Sequence, residues 1–281
     1  MKKLIITADD YGMSLAVNKA IDEGIEAGLI TSTNLMTNMP YAEDAVTLKN
    51  YKNFSVGIHF TLTCGCPVSD AAEIPTLVSK SGEFYTFSDF RKRYRKNLIH
   101  ESDILHELNA QYERYIQIMG IKPEYWNTHQ NVHVDFRIYK LFVDFAVEKE
   151  INRMRSHQRL YVKESNANGK RSLKWRLLEP FKSHMLNSWQ KKSAKKGIAS
   201  PDGIVVCLNK KDASKPEYVF NNIAWGDNHI AEYVIHPAIE NDSPYFGRIV
   251  EKRIDEYILF TSSKTKELID NAEIDLVGFY M

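Results

Sequence analysis

The sequence predicts an α/β fold, a parallel sheet or a barrel with helices around it. Two observations carry this. Strand-like and helix-like segments alternate along the chain, the order that parallel strands and crossover helices require. The composition is ordinary for a globular protein: 281 residues, 43% hydrophobic and 26% charged, enough to bury a full core as one large domain or two small ones. No sequence repeat or low-complexity tract interrupts the pattern.

The elements follow in order. Lys3 to Ala8 is an apolar run and reads as the first strand. Ser14 can cap a helix in which Val17, Ala20, Ile21, Gly24 and Ile25 recur at helical spacing, with Gly28 closing it. Thr31 to Met39 reads as a second strand and Tyr41 to Leu48 as a short helix. Phe54 to Leu62 alternates, with Phe54, Val56, Ile58 and Phe60 on one face and Gly57, His59 and Thr61 on the other. A long loop is expected from about Cys64 to Lys96. Ser102 is a candidate cap for the next helix, with a stripe of Ile104, Leu108, Tyr112, Tyr115 and Met119, ended by Gly120 and Pro123.

Glu124 to Val134 reads as a strand carrying two histidines. Phe136 to Lys149 is an amphipathic helix with Ile138, Leu141, Phe142 and Phe145 on one side. Asn152 to His157, Gly203 to Leu208 and Ala231 to His236 read as strands. Arg248 to Phe260 and Lys264 to Asn271 read as helices, and Ile274 to Tyr280 as a closing strand. Residues 163–196 hold ten Lys or Arg against two Glu, with Trp175 and Trp189 on helix-like sequence. The expected organisation is one catalytic domain over 1–281 with a basic helical insertion at about 158–200. That insertion is either a solvated element packed on the body or on a second subunit, or a surface that attracts an anionic sugar or polymer.

A net charge of +1 gives no global case for nucleic acid or membrane binding. The N-terminal apolar run is three residues, too short for a signal peptide, and nothing approaches a membrane span. Three cysteines argue against a disulfide framework, and Cys64 and Cys66 form a C-x-C rather than a C-x2-C. The expectation is a cytoplasmic protein with reduced thiols.

In a parallel α/β fold, reactive groups gather at the C-terminal ends of strands. The first strand ends in Asp9-Asp10, the third carries His59, the fourth His129 and His133, and that near residue 235 ends in His236. A lone histidine on a strand is usually a core residue. Four strand ends delivering carboxylate or imidazole to one rim form a stronger pattern. One Asp and two His suit a catalytic divalent metal with an open position. Of two adjacent acids, one can coordinate the metal while the other accepts a proton from its water. Neighbours on a regular strand face opposite ways, so both reach the rim if the backbone turns past the strand end. The competing structural role for Asp9-Asp10 is to cap the helix near Ser14. Glu232 shares a face with His236 and is placed to tune it as a general acid. Alternatively, both fill polar interior.

Several short motifs then stand in order along nearly the whole chain: ITADDYG, ITSTNLM, GIHFTLT, GCPV, WNTHQNVH, MRS, SPDGI and AEYVIHPA. With them the sequence resembles the YdjC-like family of carbohydrate deacetylases, which includes chitooligosaccharide deacetylases. The resemblance implies a distorted (β/α) barrel of the metal-dependent polysaccharide-deacetylase type. It implies Asp10, His59 and His129 as metal ligands, Asp9 as catalytic base and His236 as acid. It implies one divalent ion, with magnesium usual for the family. Ligand chemistry alone suits zinc, cobalt or nickel at least as well.

Three departures stand out. Asn127 replaces an acid, Asn131 replaces a histidine, and Ala238 follows His236-Pro237 where the family has glycine. If the segment is a strand, Asn127, His129, Asn131 and His133 share one face, and the lining of the site is altered. Asn127 can hydrogen-bond a ligand histidine but lacks the charge that raises its basicity. Arg155 matches a family arginine and is a candidate to bind a sugar hydroxyl, an oxyanion or a phosphate, with an ordinary ion pair as the equal alternative. Trp126 and Trp225 are candidates to stack on a sugar ring, with core packing as the alternative.

The expected activity is removal of N-acetyl groups from amino sugars or short oligosaccharides. The rival is a non-catalytic sugar or sugar-phosphate binding protein on the same barrel. A glycosidase fits less well, because its two acids flank the bond from separate positions. The expected partner is a small carbohydrate, with neither nucleic acid nor membrane, and the resemblance allows a homodimer.

Overall fold

A computed structural model of the chain describes residues 2–163, 173–208 and 215–279. The described strands are β1 (Lys2–Tyr11), β2 (Ser32–Leu35), β3 (Ser55–Phe60), β4 (Trp126–Thr128), β5 (Arg159–Tyr161), β6 (Gly203–Val206), β7 (Ile230–Ile235) and β8 (Ile274–Leu276). The described α-helices are α1 (Leu15–Glu26), α2 (Phe87–Arg95), α3 (Glu101–Met119), α4 (Phe136–Glu148), α5 (Leu173–Ala194), α6 (Pro216–Asn221), α7 (Val250–Phe260) and α8 (Ser263–Asn271).

The strands form one parallel sheet in the order β4-β3-β2-β1-β7-β6-β5, with β8 paired to the start of β1. The sheet curls into an incomplete barrel. Met154 bridges to Trp126 on β4, Arg153 bridges to Ala199, and three residues beyond Ser156 the same segment pairs with β6 as β5. Residues 153–161 thus span the gap between the two sheet edges.

Strand parity divides the sheet into two faces. Leu4, Ile6, Ala8, Leu35, Val56, Ile58 and Phe60 join the main hydrophobic core. Registered on the opposite, concave face are Thr7, Asn34, His59, Asn127 and Glu232, all buried. Asn34, His59, Asn127 and Glu232 are held in that interior by hydrogen-bond partners across it, whereas Thr7 Oγ1 is buried without one. Lower in the barrel, Tyr125 stacks on Phe279 at 3.7 Å and lies over Gly57, where a Cβ would meet its ring at 2.6 Å.

Four expectations need correction. The loop after Cys64 contains α2, whose first turn is capped by Thr86 accepting from the backbone N–H of Asp89. The cap of α3 is His100, and the Ser102 hydroxyl donates to Asp103. The strand foreseen over 124–134 ends at Thr128, because Gln130 (φ 54°) and Asn131 (φ 52°) turn left-handed after His129. The strand foreseen over 152–157 is reduced to isolated bridges. In the basic segment, Trp189 packs on Tyr139 at 4.9 Å, whereas Trp175 lies where no side chain is described.

Candidate metal and catalytic site

The site begins with a break in β1. Its register against β2 shifts between Ala8 and Tyr11, and Asp10 has φ 76°. A left-handed backbone costs a non-glycine residue about 1–2 kcal/mol, and Asp is among the few types that adopt it. The bulge lies inside the strand, where the sequence led us to expect a turn beyond its end. It overrides strand alternation, so both carboxylates face the same cavity. Gly12 (φ 96°) completes the turn; a Cβ there would lie 3.1 Å from Met36 O and Ala42 Cα.

Asp10 Oδ1 lies 3.4 Å from His59 Nε2 and 3.1 Å from His129 Nδ1. These three residues are buried, and each places one ligand atom within 4.8 Å of the others. One carboxylate oxygen facing two imidazole nitrogens is a donor set that could hold a divalent ion. The other oxygen, Oδ2, accepts from Arg253 at 2.5 Å. Burial acts to raise the Asp10 pKa, but the Arg253 charge and the two imidazoles hold it well below the usual range. His129 moves the opposite way. Burial favours its neutral form, yet the bond to Asp10 and its charge lift the pKa to about 9.

Asp9 sits in its own clamp. Arg155 donates to Oδ2 at 2.8 Å and to Oδ1 at 2.6 Å, and Asn34 donates to Oδ1 at 2.6 Å. The Arg155 Nε donates to Glu232 at 3.0 Å. Burial again acts to raise the Asp9 pKa; Arg155, His59 and His236 outweigh it and keep the group ionised. His236 Nε2 lies 3.7 Å from Asp9 Oδ2, and burial lowers its pKa against the pull of nearby carboxylates. The backbone N–H of His236 donates to Glu256 on α7. Glu232 therefore engages Arg155, while Asp9 is the acid beside the His236 ring.

The remaining predicted residues divide. Asn131 lines both the cavity of about 280 Å³ over the Asp10 group and an adjoining one of about 460 Å³, which Arg155 also borders. His133 points away from the ligand group; its Nδ1 lies 2.5 Å from Thr128 Oγ1 and its Nε2 3.1 Å from His157 Nε2. Trp126 is on the helix-facing side of β4, stacked on Phe142 at 5.9 Å. Trp225 lies beneath Lys2 at the opposite end of β1 from Asp9. Arg253 and Glu256 were not foreseen. Their signal was present: two charges on the buried stripe of α7 that also holds Phe260.

Fold and site together define an α/β-barrel protein with a buried Asp-His-His group able to hold a metal ion beside an Asp–His pair. The chain belongs to the YdjC-like protein family, whose model matches residues 3–271. A carbohydrate deacetylase of Geobacillus stearothermophilus is 42% identical over 143 residues, 50% of this chain and 55% of that protein. The match thus spans about half the length of that relative. A carbohydrate deacetylase of Brevibacillus brevis is 28% identical over 99% of this chain and 98% of its own length. Among solved structures, a protein of Enterococcus faecalis V583, provisionally assigned to cellobiose-phosphate cleavage, superposes with a TM-score of 0.74. It is 24% identical, covering 99% of this chain and 97% of its own, and shares the fold. Among the described residues, no helix is long and apolar enough to cross a membrane.

Proposed function

We propose that this protein is a metal-dependent hydrolase that removes N-acetyl groups from amino sugars or short oligosaccharides. One observation carries the reading: the Asp10–His59–His129 group and the Asp9–His236 pair open onto one cavity. The family's named deacetylases supply the reaction class.

Asp10, His59 and His129 would hold the ion. When bound, such an ion polarises a carbonyl and lowers the pKa of water. Magnesium follows from the family resemblance, whereas two imidazoles and one carboxylate suit zinc, cobalt or nickel at least as well. Asp9, which Arg155 holds in its anionic form, is placed to receive the proton of the attacking water. Its clamp by Arg155 makes it a weak base, so the proton is held briefly. His236, 3.7 Å away, is placed to carry a proton to the departing amine. Its Nδ1 is buried without a hydrogen-bond partner among the described residues, so the proton it passes travels through Nε2, the nitrogen that faces Asp9. The larger adjoining cavity would take the rest of the sugar, with Phe87 and Tyr94 as apolar wall and Asn131 at the junction. The expected setting is the cytoplasm.

The test is acetate release from N,N'-diacetylchitobiose, in EDTA and with added Mg, Zn, Co or Ni, beside an Asp10→Ala control. Metal-dependent release that the variant loses is the expected result. Release that is indifferent to EDTA would overturn the metal reading. Saturable sugar binding without acetate under any metal would favour the binding-protein alternative.

A further inference from the structure

The interior carboxamide of Asn127 touches the imidazole of His59 on one side and a cluster of donors on the other. One amide atom lies 2.5 Å from His59 Nδ1. The other lies 3.0 and 3.2 Å from the Arg155 guanidinium nitrogens and 2.9 Å from Asn34 Nδ2. Arg155 and the Asn34 amide nitrogen are donors only. An amide offers one acceptor oxygen and one donor nitrogen, so only one of its two seatings satisfies both sides. That seating turns the oxygen to Arg155 and Asn34 and the –NH2 to His59 Nδ1.

The tautomer of His59 follows. A ring nitrogen that accepts from Asn127 carries no proton, so the proton of the neutral ring sits on Nε2. That nitrogen faces Asp10 Oδ1 at 3.4 Å, where the ligand group needs a lone pair. To offer Nε2 as a ligand, His59 must carry its proton on Nδ1. Asn127 must then turn its oxygen to His59 and press its –NH2 against three donor atoms. Each is buried, and no water-filled space relieves the contact at Asn34 or Asn127, both fully shielded from solvent.

We infer that Asn127 is a positioning residue that couples metal loading to the tautomer of His59, and that its amide, by resisting the ligating tautomer, keeps the site weak and exchangeable. The inference rests on the Asp10–His59–His129 reading of the metal group. A carboxylate at position 127 has acceptors on both sides and removes the conflict. The expected sign is unusual: a substitution beside the site should tighten metal binding, whereas a structural lesion would loosen it.

The experiment has two arms on the full chain. First, ¹⁵N-detected histidine spectra of the wild type in EDTA should show the Nε2–H tautomer for His59, assigned through His59→Gln. An Nδ1–H signal overturns the inference without touching the metal reading. Second, calorimetric titration with zinc and cobalt should show Asn127→Asp binding roughly tenfold or more tighter than wild type, the scale of changes in a ligand's hydrogen-bond partner. Asn34→Ala, which deletes one of the opposing donors, should also tighten binding, and it carries the test if Asn127→Asp does not fold. Equal or weaker binding by the folded variants overturns the inference while wild-type binding upholds the metal group. Absence of binding by wild type and variants alike defeats the metal reading itself, and with it the predicted tightening.

Discussion

Two pairs of histidines lie close together in this molecule and end with opposite electrostatics. His59 and His129, with ring centroids 5.5 Å apart, face Asp10 inside the barrel. His133 and His157, 4.8 Å apart, pack outside it among Trp126, Tyr139 and Phe142. Burial pushes the rings of His129, His133 and His157 toward neutrality. Opposite the inner pair stands a carboxylate, and His129 rises to about 9. The outer pair faces Arg155 and Lys182 across the packing, and His157 falls to about 3. His133, facing His157 and Arg155, is also pushed well down. Neutral rings that share one hydrogen suit a core; rings set against an acid suit a cation. What differs is the partner, since the residue type and the burial are alike.

The largest test removes that partner. Asp10→Ala, like His59→Ala or His129→Ala, should abolish metal binding in calorimetry and deacetylation with it. His157→Gln should leave metal affinity unchanged. If His157→Gln lost the metal as well, the two pairs would not be separate.

Next in size, Asp9→Asn should keep the metal and lose turnover by roughly 10²-fold or more, the usual contribution of a placed acid or base. Normal turnover in this variant would remove Asp9 from the chemistry.

The clamp between the pairs comes third. Arg155→Met leaves Asp9 and Glu232 buried without their cation and should cost about 3–5 kcal/mol in urea unfolding, as broken buried pairs do. A change below about 1 kcal/mol, the scale of an exposed pair, would mean that water reaches these acids.

The smallest effect is on pH dependence in EDTA, and the two pairs predict opposite limbs. His129 is raised from 6.5 to about 9. Its stabilisation is complete below pH 6.5 and is lost as pH rises toward 9. His157 is lowered from 6.5 to about 3. Its contribution is present above pH 6.5 and is lost as pH falls toward 3. Melting temperature should therefore fall by a few degrees on each side of neutrality. His129→Gln should flatten the alkaline limb and His157→Gln the acid one. The reverse assignment would break the comparison.

Much of the site was legible along the chain. Strand parity put His59 with Gly57 on one face of β3, and apolar runs ending in acids or histidines marked the rim. The element β4 shows where legibility stopped. Its histidines at 129 and 133 read as neighbours on one strand face, but the left-handed turn at Gln130 and Asn131 sends one into the barrel and the other out. Asn131 tolerates that backbone, yet nothing in the local pattern demands it. Arg155 likewise read equally as a substrate contact or as half of an ion pair, because the acids that pair with it, Asp9 and Glu232, lie far away in the chain.

The sequence by itself determined most of the strands and helices and which residue types reach the rim, because burial alternates over two residues in a strand and recurs every three to four in a helix. Tertiary structure decided which acid meets which base. Arg253 reaches Asp10 across 243 positions, and Arg155 reaches Asp9 across 146. Such pairings are set by barrel closure and by the bulge at Asp10. Their strength comes from the shared removal of charge from water, a property of the enclosed space that no local stretch of sequence contains.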